Sequence, residues 1–103
     1  MKKIIIIGAG GHAKSCIDVI EKSKKFKIIG LFATKKELGN KLFGYSVIGC
    51  TLEDLRKIRK KTKYAFIAIG QIKSSNTRRK YYKKLKKMQF KVPSVISPGF
   101  NFR

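Results

Sequence analysis

Acidic side chains are scarce in this sequence: five Asp and Glu stand against 26 Lys and Arg in 103 residues, for a formal net charge of +21. So few carboxylates leave no evident catalytic acid or base outside the glycine-rich segment near the N-terminus. Histidine is rarer still, since His12 is the single one, and the two cysteines, Cys16 and Cys50, lack CxxC spacing. One histidine and two separated thiols cannot complete a four-ligand zinc site, so no metal is expected. Long apolar runs are missing as well. The isoleucines at 4–7 stop at glycine after four residues. That is short of the roughly 7–15-residue apolar region of a secretory signal and of the ~20 residues of a membrane span. A soluble, cytoplasmic protein with reduced thiols and no membrane partner is the expectation.

What is present suffices for one domain: 43% of the residues are apolar, enough for a single modest core. Ile4–Ile7 is β-branched without alternation, the pattern of a strand buried on both faces. Ala13, Cys16, Ile17 and Ile20 then recur at helical spacing and predict a helix packing back on that strand. Further strands are expected at 27–33, 45–49 and 64–70, with a weak one at 92–96 that Pro93 confines to an edge or a strand beginning. Between them, Thr51 and Asp54 read as a capping box for one helix. Tyr81, Tyr82, Leu85 and Met88 mark one face of another, strongly basic helix that begins near Ser74 or Ser75. Alternation of this kind predicts an α/β fold: a doubly wound, Rossmann-like parallel sheet of about five strands in the order 3-2-1-4-5, with helices on both faces.

The ligand crevice of such a sheet lies at the carboxyl ends of strands one and four, where the winding reverses. "GAGGHA" sits there and fits G-x-G-x-x-[GA] through Gly8, Gly10 and Ala13. Its glycines permit a tight turn and close approach of backbone to a phosphate, and the helix N-terminus behind it attracts an anion. A dinucleotide enzyme would next need an acid at the end of strand two, but Phe32 is followed by Ala33-Thr34-Lys35-Lys36, with no acid until Glu37. That disfavours NAD, while the lysines leave an NADP-binding reductase fragment as an alternative. The basic stretches "RKIRKKTK" (56–63) and "RRKYYKKLKK" (78–87) read as solvated helix faces. Gathered on one face they would instead make a nucleic-acid-binding module, and that alternative also stays open.

"IIIIGAGGHAK" (4–14) resembles the opening of the N-terminal domains of bacterial nucleotide-sugar acetyltransferases that act on bacillosamine and sialic acid derivatives. The similarity continues through "GYSVIGCTLEDL" (44–55), "FIAIGQIKSSNTRRKYYKKL" (66–85) and "FKVPSVISP" (90–98). It implies a UDP-sugar-binding domain over 1–97, and at 98–103 either a tail or the start of a left-handed β-helix. In the family that β-helix binds acetyl-CoA, carries the catalytic histidine and forms trimers. By this resemblance the chain is the acceptor-binding part of a sugar N- or O-acetyltransferase, expected to bind without turning over and to hold no cofactor itself. Acetyl-CoA belongs to the complete enzyme, and a homotrimer is expected only with the β-helix. The implied nucleotide-sugar site comprises Gly8, Gly10, Gly11 and His12, then Ala33 and Thr34, then Ile69, Gly70 and Gln71, with no catalytic residue. Three positions depart from the family pattern. Ala33-Thr34 replaces an acidic pair, Gln71 follows "AIG" where an acid or amide is usual, and Ile96-Ser97-Pro98 stands for Ile-His-Pro.

Overall fold

A computed structural model of the chain describes residues 2–69, 75–93, 95–97 and 100–101. The isoleucine run forms β1 (Lys2–Ile7), followed by α1 (Gly11–Ser23) and β2 (Phe26–Phe32). Next come β3 (Lys41–Leu42), β4 (Tyr45–Gly49), α2 (Leu52–Arg59), β5 (Tyr64–Ile67) and α3 (Ser75–Lys87), with β6 (Val95–Ser97) and β7 (Phe100–Asn101) at the end. The main sheet has the order β3-β4-β2-β1-β5, parallel throughout except for the antiparallel β3–β4 pair.

Successive side chains on a strand point to opposite faces, so a run of four isoleucines needs two cores. Both exist. Ile4 and Ile6 pack with Ala13, Cys16, Ile17 and Ile20 of α1 on one face. Ile5 and Ile7 pack on the other with Leu55 and Ile58 of α2 and with Leu85 and Phe90, at and just beyond α3. All four isoleucines are essentially inaccessible to solvent, and each contributes roughly 1.5–3 kcal/mol by burial. Cys16 shares this environment. Burial pushes its thiol up to about 11, against the opposing pull of the nearby Arg78 guanidinium, so the sulfur behaves as a small apolar group.

The central strands fall in the expected order, and the fifth strand comes from elsewhere than residues 92–96. Lys91 makes a single parallel bridge to Tyr64, donating to the Lys63 carbonyl at 2.6 Å and accepting from Ala65 at 2.9 Å. The next rung would need an N–H at residue 93, and Pro93 has none. Val95–Ser97 instead pairs with β7 in a separate two-stranded sheet. The fifth strand of the main sheet is β3, folded onto β4 by a two-residue turn in which Phe43 and Gly44 both have positive φ, 52° and 84°.

The capping box is formed at α2. Thr51 Oγ1 accepts from the Asp54 N–H at 3.1 Å, and Asp54 Oδ2 accepts from Cys50 and Thr51 at 2.9 and 3.2 Å. The Cys50 N–H, then the contacts with Thr51, hold the Asp54 carboxyl below the usual range. Its stabilisation is therefore present above about pH 4 and lost as the pH falls through its lowered folded-state value. In acid denaturation followed by circular dichroism, wild type should lose stability below about pH 4 more steeply than Asp54→Asn. Parallel curves would remove Asp54 from the acid response. No helix among the described residues is long and apolar enough to cross a membrane.

Candidate functional site: a glycine-walled cleft at the strand ends

The carboxyl ends of β1, β2 and β5 are tied together. Gly8 donates its N–H to the Phe32 carbonyl at 2.7 Å, and Ala68 donates to the Ile7 carbonyl at 2.8 Å. Above them opens a cleft of about 390 Å³. Gly8, Gly10, Gly11, His12, Ala33, Thr34 and Ile69 all line it. Seven positions from three separate segments are thus brought to one place by the reversal of winding between β1 and β5. Gly70 and Gln71 lie outside the described residues.

Its glycines divide by role. At Gly8 the backbone φ is +123°, and an added Cβ would lie 2.6 Å from the Ala68 carbonyl oxygen, so only glycine lets β1 end against β5. Gly10 and Gly11 face open space, where an added Cβ would meet nothing within 4 Å. The Gly10 backbone, at φ −92° and ψ −163°, is one that any residue adopts. Internal packing therefore explains Gly8 and leaves the other two glycines unexplained.

Helix α1 begins at this point without a side-chain cap, because its N-cap is Gly10, and its first turn carries no acid. Its leading N–H groups and positive dipole end face the cleft, in contrast to the doubly capped start of α2. His12 adds a polar atom: its Nε2 is buried and has no hydrogen-bond partner among the described residues. Among the described residues the lining contains no Lys or Arg, in a chain where 26 of 103 residues are one or the other. Arg78, next in sequence to Thr77 of the lining, likewise has a buried Nη1 without a hydrogen-bond partner among the described residues.

Glu37 lines the same cleft and is the residue that reading the sequence overlooked. A short 3-10 turn over Lys35–Glu37 brings it back to the end of β2. There its Oε1 accepts from the Thr34 hydroxyl at 2.8 Å and from the Thr34 N–H at 3.3 Å. The Thr-x-x-Glu spacing at 34–37 was the available signal. Lys35 and Lys36, the residues that kept a 2′-phosphate in view, are exposed and do not line the cleft. An acid at this place suits ribose hydroxyls and repels an extra phosphate. Phe32 and Tyr81 close the outer wall as an edge-to-face pair, ring centres 6.2 Å apart.

Several solved structures share this architecture. A variant of perosamine N-acetyltransferase from Caulobacter crescentus, in complex with CoA and GDP-perosamine, is 27% identical over 95% of this chain and 47% of its own, with a TM-score of 0.73. A second structure of a Caulobacter crescentus protein in complex with the same two molecules matches at 27% identity and a TM-score of 0.72, over 95% of this chain and 46% of its own. UDP-D-quinovosamine 4-dehydrogenase from Vibrio fischeri, 18% identical over 88% of this chain and 75% of its own at a TM-score of 0.67, shares the fold. The chain spans just under half the length of the two Caulobacter proteins. A comparison with curated protein sequences finds no match. Residues 3–85 match the model of the PglD N-terminal domain. The chain belongs to this family of sugar acetyltransferase N-terminal domains.

Proposed function

We propose that this chain binds the nucleotide-sugar acceptor of a sugar N- or O-acetyltransferase, with the diphosphate at the start of α1. The observation that carries the reading is the pair Gly10 and Gly11, which nothing within the fold requires and which leave an uncapped helix N-terminus open to a ligand. In this reading the phosphates accept from backbone N–H groups, His12 Nε2 contacts a phosphate or sugar oxygen, and Glu37 with Thr34 takes the ribose hydroxyls. Ala33 and Ile69 supply apolar contact, and Gly70 and Gln71 frame the sugar. GDP-perosamine in the Caulobacter complexes supports a nucleotide-linked amino sugar as the ligand class.

Acetyl transfer itself is assigned to a β-helix following a domain of residues 1–97. There a histidine would take the proton from the sugar amine or hydroxyl as it attacks the acetyl carbonyl, and would return it as the C–S bond of the thioester breaks and CoA leaves as the thiol. The CoA in the Caulobacter complexes supports that assignment. A homotrimer built by the β-helix and a cytoplasmic setting, where activated sugars and acetyl-CoA meet, complete the proposal.

Calorimetric titration with a UDP-4-amino-sugar and a GDP-4-amino-sugar tests it: saturable binding of either supports the reading, and binding of neither overturns it. His12→Ala should weaken that binding by roughly 0.5–1.5 kcal/mol, the net value of one hydrogen bond. Wild-type affinity in that variant would take His12 out of the site.

A further inference from the structure

The opposite end of the sheet carries a second cleft of about 390 Å³, formed where β1 and β5 begin. Six of its eight lining residues are cations: Lys2, Lys3, Arg59, Lys60, Lys61 and Lys63. Composition alone, at 26 Lys and Arg in 103 residues, predicts two in eight. The cations are also unpaired, since the ion pairs among the described residues are Lys22–Asp18 and Arg56–Glu53. Among the described residues no Lys or Arg lines the glycine cleft, and six line this one, about 20 Å away along a six-residue strand.

The backbone that carries these cations is held in place, while the five lysines are exposed. The Thr62 hydroxyl, 7% exposed, donates to the Lys3 carbonyl. The Lys61 and Thr62 N–H groups donate to the Ile58 carbonyl at 2.8 and 3.0 Å. Arg59 Nε donates to the Gln89 carbonyl at 3.3 Å, with its guanidinium 5.8 Å from the Phe90 ring centre. Tyr64 is engaged by the Lys2 and Lys91 ammonium groups, 5.1 and 5.9 Å from its ring centre, and edge-on by Phe26. The site therefore presents clustered charge and no free aromatic platform on which a base would stack.

We infer that this basic cleft is a binding site for a small anion with two or more clustered phosphates, separate from the glycine cleft. The probe is inorganic triphosphate, titrated into the whole chain at two salt concentrations, with an oligonucleotide and anionic lipid vesicles as parallel arms. Saturable binding that weakens with salt is expected, and in Gly10→Val, which closes the start of α1 at the other end of the sheet to phosphate, one saturable site should remain. In that background Lys61→Gln with Lys63→Gln should lower the affinity about tenfold. Both side chains are exposed, as are Lys83 and Lys86 of α3, and removing the same charge at Lys83 and Lys86 should change affinity by less than about twofold. Lys2, donating to the Tyr64 phenol, lowers its proton affinity together with the neighbouring lysines. A bound anion should therefore move the Tyr64 phenolate titration upward, read as the difference from Tyr64→Phe. Equal losses from the two lysine pairs, no saturable triphosphate binding in Gly10→Val, or tighter binding to oligonucleotide or vesicles than to triphosphate would each overturn the inference.

Discussion

Gly8→Ala should be among the most damaging single substitutions in the chain. A φ of +123° is closed to alanine, and the new Cβ would sit 2.6 Å from the Ala68 carbonyl oxygen, part of the backbone that seals β1 to β5. Backbone strain of roughly 1–3 kcal/mol adds to an overpacking cost of roughly 1–3 kcal/mol. Against a typical net stability of about 5–15 kcal/mol, that removes a large share. Thermal or urea unfolding should show the loss. A midpoint equal to wild type would mean that the loop relaxes freely and that Gly8 is not what holds the strand ends together.

Gly10→Val should do the reverse, keeping the fold and losing the ligand. Its backbone lies in a region open to a β-branched residue, and the added carbon meets nothing within 4 Å. Valine is a poorer N-cap than glycine, so stability should fall by about 1 kcal/mol at most, far less than in Gly8→Ala. A branched side chain over the start of α1 denies the diphosphate its backbone donors. With charge-assisted bonds contributing roughly 1.5–3 kcal/mol each, loss of two lowers nucleotide-sugar affinity by about a hundredfold or more. Unchanged affinity in a folded variant would remove the loop from the binding site. Two glycines two residues apart therefore separate folding from binding.

Much of this architecture was legible in the residues. Four isoleucines without alternation required a two-sided core, and α1 and α2 with α3 provide it. Thr51 and Asp54 cap α2 as their spacing implied. Strand β3 was not legible, because two residues carry no periodicity and its turn uses Phe43 with positive φ in place of the Asn or Asp usual in such turns. Residues 92–96 misled for a different reason: their apolar pattern is that of a strand, and the absence of one N–H at Pro93 ends the ladder after Lys91.

At the site, glycine spacing and strand order set the glycine loop opposite Ile69, and the family resemblance added Ala33 and Thr34; the fold brings Gly8, Gly10, Gly11, His12, Ala33, Thr34 and Ile69 together. Glu37 was hidden by counting along the chain. An acid several residues past a strand end seemed too distant, until the 3-10 turn folded it back onto Thr34. Charge was the least legible property. Basic residues are spread through the sequence, and only the fold shows that, among the described residues, none lines the glycine cleft and six line the basic one.

The most direct test of the central claim is a calorimetric competition on the whole chain, wild type beside Gly10→Val. UDP- and GDP-4-amino-sugars are titrated in turn, with NADH and NADPH as the dinucleotide controls. Saturable binding of a nucleotide-sugar to wild type, tighter than either dinucleotide and lost in Gly10→Val, is the predicted result. Preference for NADH or NADPH, or nucleotide-sugar binding that survives in Gly10→Val, would contradict the assignment of the glycine cleft as an acceptor site.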